Sequence, residues 1–214
     1  GWTLIGGQLV HLHCAERGQF PARPTNDADT VVDVRANPMI LNIFTQTLED
    51  LGFRSAGISA EGRQHRWTRG KAAIDVLLPE GVGERARGRT GATSSPTLPT
   101  QGGTQALQRS EGVAVTVAGR HGSVRRPSLV GALIVKAAAH TNIGDQDPRR
   151  HRRDFLVLAG LIKAADFANE ELSKKDRQRL LGILAAIERD RALLLEVPGS
   201  ATAIARLKLA ADLG

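Results

Sequence analysis

Two carboxylates, Asp27 and Asp29, are the residues of this sequence best placed to do chemistry. They are separated by one residue where a β-strand is expected to begin, and because side chains alternate along a strand, both should lie on one face. Mg²⁺ commonly binds through one or two carboxylates together with phosphate oxygens of a substrate. The pair therefore predicts a site for Mg²⁺ or Mn²⁺, and the alternative is an acidic pair that only caps a turn.

A third carboxylate would complete a site for two metal ions. Asp33 has the same strand parity, but four residues of strand place it about 13 Å from Asp29, too far to share ions that lie about 3.5–4 Å apart. Asp75 is the better candidate, because it interrupts the apolar run from Ala73 to Leu78. An ionisable group in such a strand needs a partner, which a metal ion on a neighbouring strand would supply.

A glycine pair, Gly6-Gly7, opens a predicted helix that ends at Gly18. Backbone N–H groups at a glycine-rich helix start can approach phosphate oxygens closely, and the N-terminus of a helix favours an anion. Gly6 and Gly7 are therefore candidates for phosphate binding.

Lys136 and Asp154 are ionisable residues in two predicted helices of the second half. Lys136 lies among leucine, isoleucine and alanine residues, where its ammonium group either meets an anion or extends along the apolar surface to solvent. Asp154 either positions Lys136 or an arginine, or forms an ion pair on the helix surface. The arginines beside it are Arg149, Arg150, Arg152 and Arg153. A helix points them in different directions, so the sequence leaves open which of them contact phosphate.

Secondary-structure signals surround these residues with mixed α and β elements. The predicted elements of the first part are, in order, a strand at 29–35, a helix at 38–52, the two runs of a hairpin at 64–68 and 72–78, and a strand at 113–118. Asn37 is the expected N-cap of the helix, and Arg69-Gly70 is the expected hairpin turn. Residues 81–103 hold six Gly and two Pro, which predicts a mobile loop or a disordered insertion.

The chain after Pro127 has a helical pattern. The predicted helices are at about 127–140, 148–165, 174–192 and 201–212. Their expected start signals are Asp147-Pro148 for the second, a capping box of Ser173 and Asp176 for the third, and Ser200 for the last. The expected fold is thus α+β, with an α/β domain at 1–120 and a helical domain at 121–214.

Composition limits the classes of protein to consider. Of 214 residues, 41% are hydrophobic and 24% are charged, which favours a globular fold over a disordered or collagen-like chain. The single cysteine, Cys14, excludes an internal disulfide framework and a cysteine-based zinc site. The lack of disulfide bonds is typical of proteins of the reducing cytoplasm. With no signal peptide or membrane span predicted, we expect a cytoplasmic protein that does not insert into a membrane.

The positive charge is concentrated in one region. The net formal charge is +7, and residues 120–153 contain eight Lys/Arg and two Asp. This surplus predicts either a phosphate-facing surface for a nucleotide or nucleic acid, or a solvated face. Five Phe, two Trp and no Tyr are too few for a convincing platform that stacks single-stranded bases.

The glycine pair, the run from Arg23 through Thr25 to Asp29, the carboxylate strand around Asp75 and the helical second half together resemble the polymerase-beta-type nucleotidyltransferase superfamily. Within it, the sequence looks most like the AbiEii-like, or MenT-like, toxin branch, found in toxin-antitoxin pairs. The resemblance covers residues 4–162. It implies an N-terminal mixed sheet with helices, followed by a C-terminal helical bundle that contributes to the nucleotide site.

The resemblance also implies roles for individual residues. Metal ligands would be Asp27, Asp29 and, at a position that varies in the family, Asp75. Lys136 and Asp154 would join these three in catalysis. Nucleotide-binding residues would be Gly6, Gly7, Arg23, Thr25, Lys136, Arg149 and Arg150. The wider superfamily commonly has Ser after the first glycine, so with Gly7 there, substrate binding would depend on backbone amides.

The implied reaction transfers a nucleoside monophosphate from an NTP to an acceptor and releases pyrophosphate. The implied acceptor is RNA, with the 3′ end of tRNA favoured, and the implied protein partner is a cognate antitoxin. The alternatives are nucleotidylation of a protein or a small molecule, a catalytically inactive module that binds nucleotide or nucleic acid, and a structural α+β domain.

Overall fold

The computed structural model describes residues 1–21, 23–142 and 147–213. The chain divides into two compact units, one formed by Gly1–Gln8 with Thr25–Pro127 and the other by Leu9–Pro24 with Ser128–Gly214.

This division differs from the predicted boundary at residue 120 in two places. Residues 9–24 group with the helical unit, because Leu9, Val10 and Cys14 are buried in its core. Residues 121–127 group with the first unit, where they complete a strand pair. The helical pattern after Pro127 therefore marks the second unit, whereas a stretch far upstream in sequence also belongs to it.

The first unit is built on a mixed sheet of six strands, as expected for the α+β class. The strands are β1 (Trp2–Ile5), β2 (Asp27–Val32), β3 (Arg54–Ser55), β4 (Arg66–Arg69), β5 (Ala72–Pro79) and β6 (Pro99–Thr100). Their order is β1-β2-β5-β4-β3, and β6 pairs with the end of β5. β2 and β5, which carry the predicted carboxylates, are thus adjacent, and they run parallel.

Two helices that start in the first unit begin near their predicted positions. Helix α1 (Gly6–Glu16) starts at the glycine pair, as predicted, and helix α2 spans Ile40–Asp50. Helix α2 starts later than Pro38 because the Asn37 side chain closes a turn before it, accepting a hydrogen bond from the Met39 N–H at 2.9 Å. The buried core of this unit comprises Val32, Val34, Leu41, Leu48, Phe53, Trp67, Val76, Leu78 and Val82.

The mobile loop predicted at 81–103 contains regular structure instead. It includes helix α3 (Glu84–Arg87) and strand β6, and it leads into helix α4 (Gly103–Gln108). The Leu98 carbonyl accepts a hydrogen bond from the Leu78 N–H at 2.9 Å, so this segment satisfies backbone groups along the edge of β5. The prediction of a loop was wrong because it used only the glycine and proline content of the segment. The segment is ordered by pairing with β5, a strand outside it, and this pairing leaves no signal in the segment's own composition.

A hairpin of β7 (Ser110–Val117) and β8 (Arg120–Pro127) completes the first unit. The predicted strand at 113–118 lies largely within β7, whereas β8 was not predicted. Most of β8 is exposed on both faces, so it lacks the apolar alternation that marks a strand. The turn at Ala118-Gly119, with φ of 49° and 76°, brings β8 back along β7.

The second unit is helical, as predicted. Beyond most of α1, it contains α5 (Leu129–Ala139), α6 (Pro148–Gly160), a 3-10 helix (Ala164–Phe167), α7 (Lys174–Glu188), α8 (Arg191–Glu196) and α9 (Ser200–Ala210). Every residue from Leu129 to Ala138 is buried, which explains why α5 is apolar on all sides. Within the described parts of the chain, no helix is both long enough and apolar enough to cross a membrane.

The predicted caps of this unit are correct in two of three cases. Asp147 accepts a hydrogen bond from the Arg150 N–H at the start of α6, and Ser173 with Asp176 forms the capping box of α7. Ser200 is not a cap, because it is already helical and its hydroxyl donates to the Leu194 carbonyl at 2.8 Å.

Candidate functional site

Asp29, Asp75 and Arg66 form a row across three adjacent strands of the first unit. In the parallel pairing of β2 with β5, Asp29 lies directly opposite Asp75, and Arg66 of β4 lies opposite the same Asp75. Directly paired residues of neighbouring strands project from the same face of a sheet. Asp27, two residues before Asp29, shares this face. The structure thus places the three predicted carboxylates on one face of the sheet, and their role as metal ligands stays a prediction.

Arg66 is the direct partner of the Asp75 carboxylate. Its Nε and Nη2 each donate to one carboxylate oxygen at 2.8 Å. Nη2 also lies 3.9 Å from Oδ2 of Asp27. The hydrogen bonds to Asp75 and then the charge of Asp75 raise the pKa of Arg66; burial opposes this, and the charges of Asp27 and Asp29 add to it. Arg66 is therefore a permanent positive charge in the carboxylate cluster.

The prediction that Asp75 needs a partner is confirmed: the residue is only 7% exposed, and a buried carboxylate requires an opposing charge. The partner in the structure is Arg66, which the sequence reasoning missed. The hairpin was predicted, but its turn lies one residue later than the predicted Arg69-Gly70, at Gly70-Lys71. Arg69 therefore pairs with Ala72, and this register sets Arg66 opposite Asp75.

The carboxylates fit a metal ion held in part by a substrate. Within the described residues, no three or more His, Cys, Asp or Glu side chains are grouped so that they could hold a metal ion. Asp27 and Asp29 still provide the two carboxylates that Mg²⁺ uses when phosphates and water supply its other ligands. The Asp27 side chain is 44% exposed, so a ligand from solution can reach it.

The glycine pair allows the start of α1 to approach residues 25–29. Gly6 has a φ of 70°, and a Cβ at this position would lie 1.8 Å from Oδ2 of Asp29. A Cβ on Gly7 would lie 2.7 Å from Oγ1 of Thr25. The Thr25 hydroxyl donates to Oδ1 of Asp27 at 2.7 Å and so orients that carboxylate. The glycines are therefore required for packing against the acidic segment, besides their predicted role in phosphate binding.

Gly6→Ala is expected to destabilise the first unit and to displace Asp29. The left-handed backbone alone costs about 1–2 kcal/mol for a residue with a Cβ, and the contact with Asp29 adds to this. Chemical denaturation measures the free energy of unfolding. Gly122→Ala, where no atom lies within 4 Å of the added Cβ, is the matched control. Equal stability of the two variants would show that Gly6 is not required by packing.

Lys136, Asp154 and Arg23 form a buried cluster within the second unit. Nζ of Lys136 donates to Oδ2 of Asp154 at 2.7 Å. Arg23 donates to the same carboxylate through Nε at 3.2 Å and Nη2 at 3.0 Å. His11 supports Arg23 from α1, because its Nε2 lies 2.8 Å from the Arg23 carbonyl, which can only accept. Asp154 thus contacts both Lys136 and an arginine in the interior of the unit. The alternative left open by the sequence, an ion pair on the helix surface, does not apply because Asp154 is buried.

Burial decides between the two predicted settings of Lys136. Lys136 and Asp154 are each only 2% exposed, so the ammonium group meets a carboxylate and does not extend to solvent. Burial alone would raise the pKa of Asp154, but the charge of Lys136 and the hydrogen bonds from Arg23 and Lys136 outweigh it and lower the pKa. Contact of Lys136 and Arg23 with a triphosphate stays a prediction.

The arginines of α6 are largely engaged in ion pairs within the second unit. Nε of Arg149 lies 3.1 Å from Oδ2 of Asp190, and its Nη2 lies 2.7 Å from Oε1 of Glu196. Nη2 of Arg153 lies 2.5 Å from Oε2 of the same glutamate. These pairs reduce the positive surplus that the sequence predicts over residues 120–153. Nucleotide binding by Arg149 and Arg150 stays a prediction, and for Arg149 it would require a carboxylate to be exchanged for a phosphate.

Comparison with known proteins supports the fold. No family model matches the chain, and a search of curated proteins found no match. Among solved structures, the chain is similar to an antigenic nucleotidyltransferase-like protein from Paracoccidioides brasiliensis. The sequence identity is 17% and the TM-score is 0.53, over 96% of this chain and 84% of that chain. The chain therefore has a nucleotidyltransferase-like fold, while the AbiEii-like branch stays a prediction.

Proposed function

We propose that this protein is a metal-dependent nucleotidyltransferase, which transfers a nucleoside monophosphate from an NTP to an acceptor and releases pyrophosphate. The observation that carries the proposal is the acidic pair Asp27 and Asp29, packed against the glycine start of α1 in a nucleotidyltransferase-like fold. In this reaction, catalysis comes mainly from positioning and from neutralising charge in an in-line displacement.

The residues of the first unit have distinct roles in this proposal. Asp27 and Asp29 hold Mg²⁺ or Mn²⁺, which when bound neutralises phosphate charge and polarises the reacting phosphoryl group. Thr25 orients the Asp27 carboxylate through its hydroxyl. Gly6 and Gly7 place the first backbone amides of α1 close to the carboxylates, where they favour a phosphate.

We further propose RNA as the acceptor, with the 3′ end of tRNA favoured, and a toxin role opposed by an antitoxin protein. The basic composition of residues 120–153 supports this part of the proposal. Since Arg149 and Arg153 are paired with carboxylates, exposed residues such as Arg120 of β8 are the better candidates for contact with RNA.

One observation favours a second candidate function. Arg66 binds both oxygens of the Asp75 carboxylate, so the third carboxylate of a two-metal site is already occupied by a side chain. This arrangement is consistent with a module that binds nucleotides without transferring them. The two candidates differ in turnover and not in nucleotide binding.

The deciding experiment uses each of the four NTPs labelled at the α-phosphate, with Mg²⁺ and separate pools of total tRNA, protein and aminoglycoside. We expect label on tRNA with wild-type protein and none with Asp27→Asn/Asp29→Asn. Label in another pool would replace the acceptor but keep the enzyme. Mg²⁺-dependent NTP binding without label in any pool would support the inactive module, and equal label from both proteins would reveal a contaminating enzyme.

A further inference from the structure

Arg66 occupies a position that gives it control over the metal content of the site. We propose that Arg66 keeps Asp75 out of metal coordination and takes the place of the second cation of a two-metal site, so that Asp27 and Asp29 hold a single divalent cation. This inference rests on the proposed function, because it assumes that the acidic pair binds metal.

The first argument is geometric. The two hydrogen bonds of 2.8 Å are a parallel pair between a planar guanidinium and a carboxylate, which fixes both groups. The strand register enforces this contact, since Arg66 and Asp75 are direct partners in the β4–β5 hairpin. Both Asp75 oxygens are therefore already committed to a neighbour that the backbone holds in place.

The second argument is electrostatic. Nη2 of Arg66 bridges two carboxylates, at 2.8 Å from Oδ2 of Asp75 and 3.9 Å from Oδ2 of Asp27. A second divalent cation between Asp29 and Asp75 would meet this guanidinium at close range and be repelled by it. Asp75 itself is buried and has its charge compensated by Arg66, so it has little need of a metal.

The consequence is that removal of the guanidinium should allow a second metal ion to bind. Without the guanidinium, Asp75 would be a buried carboxylate with no opposing charge from Arg66, placed directly opposite Asp29. Such a carboxylate recruits a cation, and a divalent ion shared with Asp29 is the natural replacement. Arg66 is therefore a positioning residue whose removal should increase the number of bound metal ions.

Mn²⁺ alone tests this directly, with bound ions counted by electron paramagnetic resonance on the full chain. We expect one bound Mn²⁺ in wild type and two in Arg66→Ala, with a signal from magnetically coupled ions about 3.5–4 Å apart. Arg66→Ala/Asp75→Asn should return the count to one. Arg54→Ala, which removes an exposed arginine from β3 of the same sheet, should leave it at one.

The contrary results are distinct. Two ions in wild type, or one ion in Arg66→Ala, would overturn the inference but leave the proposed function intact. No ion in wild type, or a count unchanged by Asp27→Asn/Asp29→Asn, would overturn both. If circular dichroism shows that Arg66→Ala does not fold, Arg66→Gln replaces it, because it removes the charge but keeps a hydrogen-bond donor.

Discussion

Replacing Asp27 and Asp29 with asparagine is expected to reduce nucleotidyl transfer by about 10³-fold or more, because a metal ion contributes several kcal/mol and each 1.4 kcal/mol is a factor of ten. Asparagine keeps the size of each side chain but removes the charge that holds Mg²⁺. Steady-state kinetics with saturating NTP measures the effect, which we expect in kcat.

The fold of this double variant should be retained. The Asp27 side chain is 44% exposed, and asparagine at position 29 has the same outline against Gly6. Asp33→Asn is the matched control, since Asp33 lies beyond the end of β2 and accepts hydrogen bonds from the backbone N–H groups of Arg35 and Ala36. Activity of the double variant close to that of this control would rule out catalysis at the acidic pair.

The second large effect is expected for Asp154→Ala, which should lower the free energy of unfolding of the second unit by about 3–5 kcal/mol. The reason is that Lys136, only 2% exposed, would lose the carboxylate that compensates its charge. Arg23 would lose both of its hydrogen bonds to the same carboxylate. Far-ultraviolet circular dichroism during chemical denaturation is the suitable measurement, because both tryptophans, Trp2 and Trp67, lie in the first unit.

Two further variants separate loss of charge compensation from loss of packing. Lys136→Met/Asp154→Leu removes both charges and should cost much less than Asp154→Ala, since apolar replacement of a buried pair is often close to neutral. Glu188→Ala breaks an ion pair whose two side chains are 40% and 47% exposed, and should cost about 1 kcal/mol or less. Similar destabilisation by Asp154→Ala and Glu188→Ala would show that the cluster is not a buried charge network.

The lowered pKa of Asp154 gives this stabilisation a defined pH dependence. In the unfolded chain the carboxyl has its usual pKa of 3.8, and in the folded chain its pKa lies lower. The stabilisation is therefore fully present above about pH 4 and is lost as the pH falls through the folded value. The stability difference between wild type and Asp154→Ala should narrow in that acidic range, and a constant difference would contradict the assignment.

The local features of this protein were determined by the sequence alone. Strand alternation places Asp27 and Asp29 on one face, and Ser173 with Asp176 caps α7. A hairpin that contains Asp75 was also predicted, although its turn lies one residue later than expected. Each of these features depends on sterics and hydrogen bonds between residues close in the chain, so each has a signal within a short window of sequence.

Contacts between distant segments were decided only by the tertiary structure. Asp29 lies opposite Asp75 because β2 and β5 pair in parallel, and this pairing joins strands that are separated in sequence by α2, β3 and β4. Arg23 reaches Asp154 across 131 residues of sequence. Segment 81–103, rich in glycine, folds along β5 for the same reason. Backbone groups and buried charges must find partners, but the identity of a distant partner depends on the order of the strands and the packing of the helices, which no short window of sequence contains.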